Sequence, residues 1–222
     1  MQKNLNTSTK TPGLFITFEG TEGAGKSTLI QKIAYKLRRQ GHTVMVTREP
    51  GGTTLSEKIR SLILTKKMNP WTEVFLYQAA RVEHLQKKVI PALKKNKIVL
   101  CDRFTDSTLA YQSYARGLSW NKVKDLNKLA TQNITPQMTV LLDLPPEVGL
   151  KRVKEFTRFE AEGVAFQKKV RKGFIKSRRE MPNRWLTIDT HLRTPQELTV
   201  EVVSAIEKRF SSRLRKKKKT RG

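Results

Sequence analysis

The stretch Gly20-Thr21-Glu22-Gly23-Ala24-Gly25-Lys26-Ser27 narrows the folds open to this chain more than any other. Three glycines fall within six residues, directly behind the apolar, β-branched run LFITF (14–18). Directly ahead, Ile30, Ile33 and Leu37 recur at helical spacing, and Gly41 stands where a helix C-terminus favours glycine. Glycine adopts positive φ without steric cost, so a chain rich in it can turn successive N–H groups inward around an anion. A helix that begins there adds the positive end of its dipole. The spacing G-x-x-x-x-G-K-[ST] between a strand and a helix is that of a phosphate-binding loop. Gly20, Thr21, Glu22, Gly23, Ala24, Gly25, Lys26, Ser27 and Thr28 are therefore read as ATP-binding. Lys26 would reach the β- and γ-phosphates, and the Ser27 hydroxyl would ligate Mg²⁺. Between Thr21 and Ala24 the loop carries the acidic Glu22 and no Arg or Lys, so a further cation for the γ-phosphoryl must come from elsewhere.

Four more short apolar runs follow: TVMVT (43–47), KIVLC (97–101), MTVLLDL (138–144) and WLTID (185–189). Helical patterns separate them. In TTLSEKIRSLIL, Thr54 and Glu57 have capping-box spacing and Leu55, Ile59, Leu62 and Ile63 share a face. Helical sequence runs from about Thr72 to Lys95, interrupted at Pro91, and Thr194 opens a closing helix to about Arg209. Strands alternating with helices predict an α/β fold with a doubly wound, parallel, five-stranded sheet. No repeat or Pro/Gly/Ser linker divides the chain, which reads as one domain over 13–210. Residues 1–12 are polar and aperiodic and read as a disordered arm; residues 211–222 read as a basic, disordered tail.

Charge bears on the partner. The chain has 45 Lys+Arg against 19 Asp+Glu, a formal +26, and residues 208–222 hold basic groups and no acidic one. Such a field attracts polyanions, nucleotides and nucleic acids alike. The single cysteine, Cys101, has no internal partner, which suits a reducing compartment. No stretch has signal-peptide form or the length of about 20 apolar residues that a membrane span needs. A cytoplasmic location, with no membrane partner, is the expectation.

The second substrate is named by several further motifs: TREPGGT (47–53), AARVEHL (79–85), VIPALKKNKIVLCDRFTDSTLAYQSYARGL (89–118), LLDLPPEVGLKR (141–152) and RFEAEGVAF (158–166). Together with FITFEGTEGAGKST they resemble the bacterial thymidylate kinases over roughly residues 14–207. The resemblance implies a P-loop kinase fold with a short lid near 151–161, a homodimer, and transfer of the γ-phosphoryl of ATP to dTMP. It also implies a dTMP site. Arg48, Arg60 and Arg103 would hold the acceptor phosphate, and Glu49 would act there through metal or water. Tyr77 would stack on thymine, Arg81 donate to O4, and Thr108 and Gln112 sit near N3. Tyr111 would crowd a 2′-hydroxyl, and Glu22 would contact the 3′-hydroxyl. Asp102 would join Ser27 at Mg²⁺. Arg152 matches a residue that stacks on adenine, and Arg158 matches a lid arginine that acts with Lys26 and Arg103 in catalysis, with Lys154 as its rival.

Two other readings compete. One is another nucleoside monophosphate kinase on the same fold, which Arg81 with Thr108, Tyr111 and Gln112 opposes. The other is a nucleic-acid-binding protein whose RKKKKTR tail grips phosphate backbone without sequence preference. That tail has no interleaved aromatics on which bases could stack.

Overall fold

The computed structural model describes residues 12–153 and 157–215. The strands β1 (Leu14–Glu19), β2 (Val44–Arg48), β3 (Ile98–Asp102), β4 (Met138–Asp143) and β5 (Trp185–Asp189) form one parallel sheet in the order β2-β3-β1-β4-β5. Each lies within a residue of the apolar run that predicted it. All six residues of β1 are buried, because β1 is central and has helices on both faces. It pairs with β3 from Leu14↔Ile98 to Phe18↔Asp102, and with β4 from Ile16↔Met138 to Glu19↔Leu141. The chain leaves β1 towards β2 on one side and β3 towards β4 on the other. A crevice therefore opens at the carboxyl end of β1, the position where doubly wound sheets bind ligands.

Helix α1 (Lys26–Arg39) buries Leu29, Ile30, Ile33, Ala34 and Leu37 against the sheet and against Val202, Val203 and Ile206 of the closing helix, Pro195–Arg215. On the opposite face lie α2 (Thr54–Thr65), α3 (Pro70–His84), α4 (Ile90–Lys94), α5 (Thr105–Thr108) and α6 (Trp120–Thr131). After β4 come the short α7 (Pro146–Arg152) and then α8 (Gly163–Glu180). The closing helix is α9.

Four local details differ from the sequence expectation. The cap of α2 is Thr53, not Thr54: its hydroxyl accepts from Ser56 N, while Glu57 reaches back to Gly52 N. The helical stretch through Pro91 is not simply broken. A π turn at Leu85–Val89, in which Ile90 N donates to Leu85 O, carries the chain past the residue that cannot donate. A second π segment, Leu109–Ala115, continues α5 where plain helix was expected. The closing helix also runs on from Arg209, through a non-helical Phe210 (φ −121°, ψ 23°), to Arg215, so residues 211–215 belong to it. Residues 1–11 and 216–222, most of the expected arm and tail, lie outside the described residues, as does Lys154.

Candidate active site

The phosphate loop folds as its glycines require. Gly25 caps α1 at φ 88°, a left-handed conformation that a side chain would strain. Gly23 (φ 70°) lies so close to α7 that a Cβ on it would stand 2.0 Å from Gly149 O. Lys26, 7% exposed, donates from Nζ to Gly20 O (3.0 Å) and Thr21 O (2.8 Å), leaving its third proton free for a ligand. Burial and then the Arg103 charge bring its pKa down to about 8. Thr21 Oγ1 is buried in the loop without a partner among the described residues.

The end of β3 lies beside this loop through its pairing with β1. Ser27 Oγ donates to Asp102 Oδ2 at 2.7 Å, joining the two oxygens expected at a metal. They suit Mg²⁺, a hard cation that takes oxygen ligands and keeps several waters or phosphate oxygens. Arg103 follows at φ 68°, rare for a residue with a side chain. Its Nη1 donates to Gly20 O and Ser107 Oγ, and its Nη2 to Glu22 Oε1 (2.8 Å). Tyr111 OH donates to Glu22 Oε2 (2.5 Å), and the Arg103 guanidinium lies 5.0 Å from the Tyr111 ring centre. Phe159, Phe166 and Phe174 meet that ring edge-on and hold it in place.

Beneath this turn sits a carboxylate that the sequence reading did not single out. Glu19, wholly buried, accepts from Phe104 N (2.9 Å) and Ser107 Oγ (2.5 Å), and so fixes the turn that presents Arg103. Burial and then the Asp106 carboxylate push its pKa up to about 8. Its only sequence signal is a charged residue ending an otherwise apolar strand.

The TREPGGT segment forms the opposite wall. Glu49 precedes a cis peptide bond to Pro50 and points into the protein, 4% exposed. It accepts from Arg81 Nε (2.7 Å) at Oε2 and is paired with His84 Nδ1 (3.0 Å) at Oε1; His84 Nε2 is bonded to Thr47 Oγ1. Burial would raise its pKa, but Arg81 and His84 overcome that and hold it below the ordinary carboxylate value. Arg81, 1% exposed, also donates from Nη1 to Gln78 Oε1 and Asn127 Oδ1 and from Nη2 to Thr108 Oγ1 (2.9 Å). Four of its five protons are thus used, and one on Nη2 remains. Arg48 is half exposed and paired with Glu57, while Arg60 donates to Pro50 O. Burial and then Arg48 lower the Arg60 pKa, and the Glu57 carboxylate offsets them only in part.

All ten residues expected at dTMP line one cleft of about 280 Å³: Glu22, Arg48, Glu49, Arg60, Tyr77, Arg81, Arg103, Thr108, Tyr111 and Gln112. Lys26, Ser27 and Asp102 line it too. The two expected lid-side arginines do not. Arg152 is exposed at the end of α7. Arg158 turns away from the phosphate loop, donating from Nε to Ile63 O and from Nη2 to Glu73 Oε2 (2.5 Å). The reason is local: Glu73, 1% exposed on α3, is a buried carboxylate within the arginine's reach. Sequence reading also passed over Glu73, His84 and Asn127, which have no motif spacing and act only through their three-dimensional neighbours.

A phosphate loop at the switch point of a parallel sheet, facing a cleft lined with arginines, defines a P-loop nucleotide kinase fold. The family model described as thymidylate kinase matches residues 18–201. A thymidylate kinase of Geotalea uraniireducens is 50% identical over 189 residues, covering 80% of this chain and 89% of the relative. One from Bacillus cytotoxicus is 44% identical over 89% of this chain and 99% of its own length. The crystal structure of thymidylate kinase from Ehrlichia chaffeensis superposes with a TM-score of 0.74 at 32% identity, covering 88% of this chain and 98% of that one. The chain belongs to the thymidylate kinase family. No helix among the described residues is long and apolar enough to cross a membrane.

Proposed function

We propose that the protein performs the family's reaction in this cleft, with the roles distributed as follows. The reaction is transfer of the γ-phosphoryl of ATP to dTMP, giving dTDP and ADP. The observation that carries the assignment of roles is that all ten residues expected to bind dTMP gather in one cleft at the mouth of the phosphate loop.

Lys26 and the loop N–H groups of Gly20–Thr28 hold the β- and γ-phosphates, whose charge compensates the buried ammonium. Arg48, Arg60 and Arg103 receive the acceptor phosphate as guanidinium forks. That phosphate oxygen is already anionic, so no general base is needed; the site must align it and exclude water. The free Nη2 proton of Arg81 donates to thymine O4, Gln112 and Thr108 meet N3, and Tyr77 covers the ring. Cytosine carries an amine at C4 and would leave two donors facing each other, a mismatch that supports discrimination of about 10⁴-fold. Tyr111, tied to Glu22, fills the space of a 2′-hydroxyl, and Glu22 takes the 3′-hydroxyl. Ser27 and Asp102 would hold Mg²⁺, which when bound neutralises charge on the transferring phosphates. Arg152 and Arg158 approach ATP from the lid.

A homodimer is supported by the exposed Leu55 and Leu62 on α2 and Phe75 and Val82 on α3, each pair seven residues apart on helices that pack against each other. A cytoplasmic location suits the buried free thiol of Cys101.

A coupled assay of ATP with dTMP, dUMP, dCMP and dGMP tests the acceptor. The expected result is kcat/KM for dTMP far above that for dCMP and dGMP. Comparable values for dCMP would overturn the base-pocket reading.

A further inference from the structure

Glu73 is a buried carboxylate at the back of the base pocket, and it serves three donors. Its Oε1 accepts from Gln112 Nε2 (2.6 Å) and Arg116 Nε (3.2 Å), and its Oε2 from Arg158 Nη2. An ionised carboxylate only accepts hydrogen bonds, so the Gln112 amide can meet it in one orientation, NH₂ inward. Gln112 Oε1 then accepts from no described residue, and Gln112 lines the cleft. Arg81 lines the same cleft, so the pocket carries both this carbonyl acceptor and the free Nη2 donor of Arg81. Acceptor plus donor is the complement of the N3–H and C4=O edge of thymine; cytosine presents the reverse pattern.

We infer that Glu73 is a specificity-determining positioning residue: it locks the Gln112 amide so that the pocket offers an acceptor to the base. The inference rests on the reading of Gln112 and Arg81 as facing the base. Without the carboxylate, the amide can turn at little cost and present its NH₂ to cytosine N3. Arg116 joins the lock to the start of α8 by donating from Nη1 to Glu162 Oε1 (2.8 Å), and Arg158 joins it to the lid segment. At rest, the residue that orients the base reader is therefore also tied to the start of α8 and to the segment that carries Arg158.

The test is the ratio of kcat/KM for dTMP to that for dCMP. In Glu73→Gln a single neutral carbonyl must serve two guanidinium groups, which outcompete the Gln112 amide for it. The ratio should fall about tenfold or more, the cost of one charge-assisted hydrogen bond. Glu73→Asp keeps the charge between the arginines and withdraws it from Gln112 by one methylene; it should move the ratio the same way by less, and covers the case in which Glu73→Gln does not fold. General damage would depress both substrates equally and leave the ratio alone. Gln112→Ala separates the two levels. If it leaves the ratio unchanged, Gln112 does not read the base, and the pocket reading falls together with this inference. If it lowers the ratio while the Glu73 variants do not, only the role of Glu73 is overturned. In the Gln112→Ala background, Glu73→Gln should change the ratio less than twofold; an undiminished effect would show that Glu73 acts by another route.

Discussion

Arg81 and Arg152 are both read as nucleotide contacts, yet they are held in opposite ways. Arg81 is 1% exposed, and acceptors from the β2–α2 turn, α3, α5 and α6 converge on its guanidinium. Arg152 stands exposed at the end of a helix of seven residues and has no bond or ion pair among the described residues. The same contrast divides the cleft. On the acceptor side Arg103, Glu22 and Tyr111 form a closed set of hydrogen bonds over the buried Glu19, whereas on the lid side Arg158 spends its donors on α2 and α3. Base selection requires groups fixed before the substrate arrives, because a reader free to rotate cannot penalise the wrong base. A lid cation is wanted only as charge develops, so a loose or alternative resting position costs little.

The sharpest way to break this comparison lies at the loop itself, where both sides meet. Lys26→Ala should lower kcat by about 10³-fold or more, because it removes the fixed ammonium at the β/γ-phosphates. A folded variant with near-normal turnover would sink the phosphate-loop assignment.

Arg81→Ala should come next. It should cost dTMP about 10² in kcat/KM or more, and dCMP far less, since only thymine offers an acceptor at C4. It also leaves Glu49 buried with His84 alone, so thermal stability should fall by about 3 kcal/mol or more. Equal losses for both nucleotides would mean that Arg81 is structural only.

Arg158→Ala measures the loose side. If the arginine leaves Glu73 to reach the transferring phosphoryl, kcat should fall at least about tenfold with KM for dTMP nearly unchanged. A changed dTMP KM with intact kcat would make Arg158 a brace of the base pocket instead. Lys154→Ala is the paired control for the identity of the lid cation.

The rigid side at rest should show itself in stability rather than in turnover. Glu19 is held protonated up to about pH 8 in the fold, but an unfolded carboxyl ionises near its ordinary value of 4.5. A raised folded pKa means that the stability it contributes is full below pH 4.5 and is lost as pH rises to about 8. Glu19→Gln should therefore flatten the decline of Tm between pH 5 and 8, at about 2–4 °C per kcal/mol for a chain of this size. An identical slope in both proteins would remove Glu19 from that account.

Much of this was legible in the residues. The five strands could be read because each is a short apolar run bounded by turn chemistry, and the phosphate loop because its glycines and Lys26 have a spacing that few other uses require. TREPGGT and the Asp102–Arg103 pair could be placed at strand ends because Thr47 and Cys101 close two of the apolar runs. What sequence could not supply was the company each side chain keeps. Glu19, Glu73, His84 and Asn127 carry no local pattern, and they matter because β1, α3 and α6 bring them against Phe104, Gln112, Glu49 and Arg81. The resting place of Arg158 was equally invisible, since it depends on a carboxylate 85 positions away. Local spacing determined the loop and the strands, and the resemblance to the thymidylate kinases supplied the expected chemistry of the substrate site. Only packing, by burying charges that must then find partners, decided which way each of those groups points.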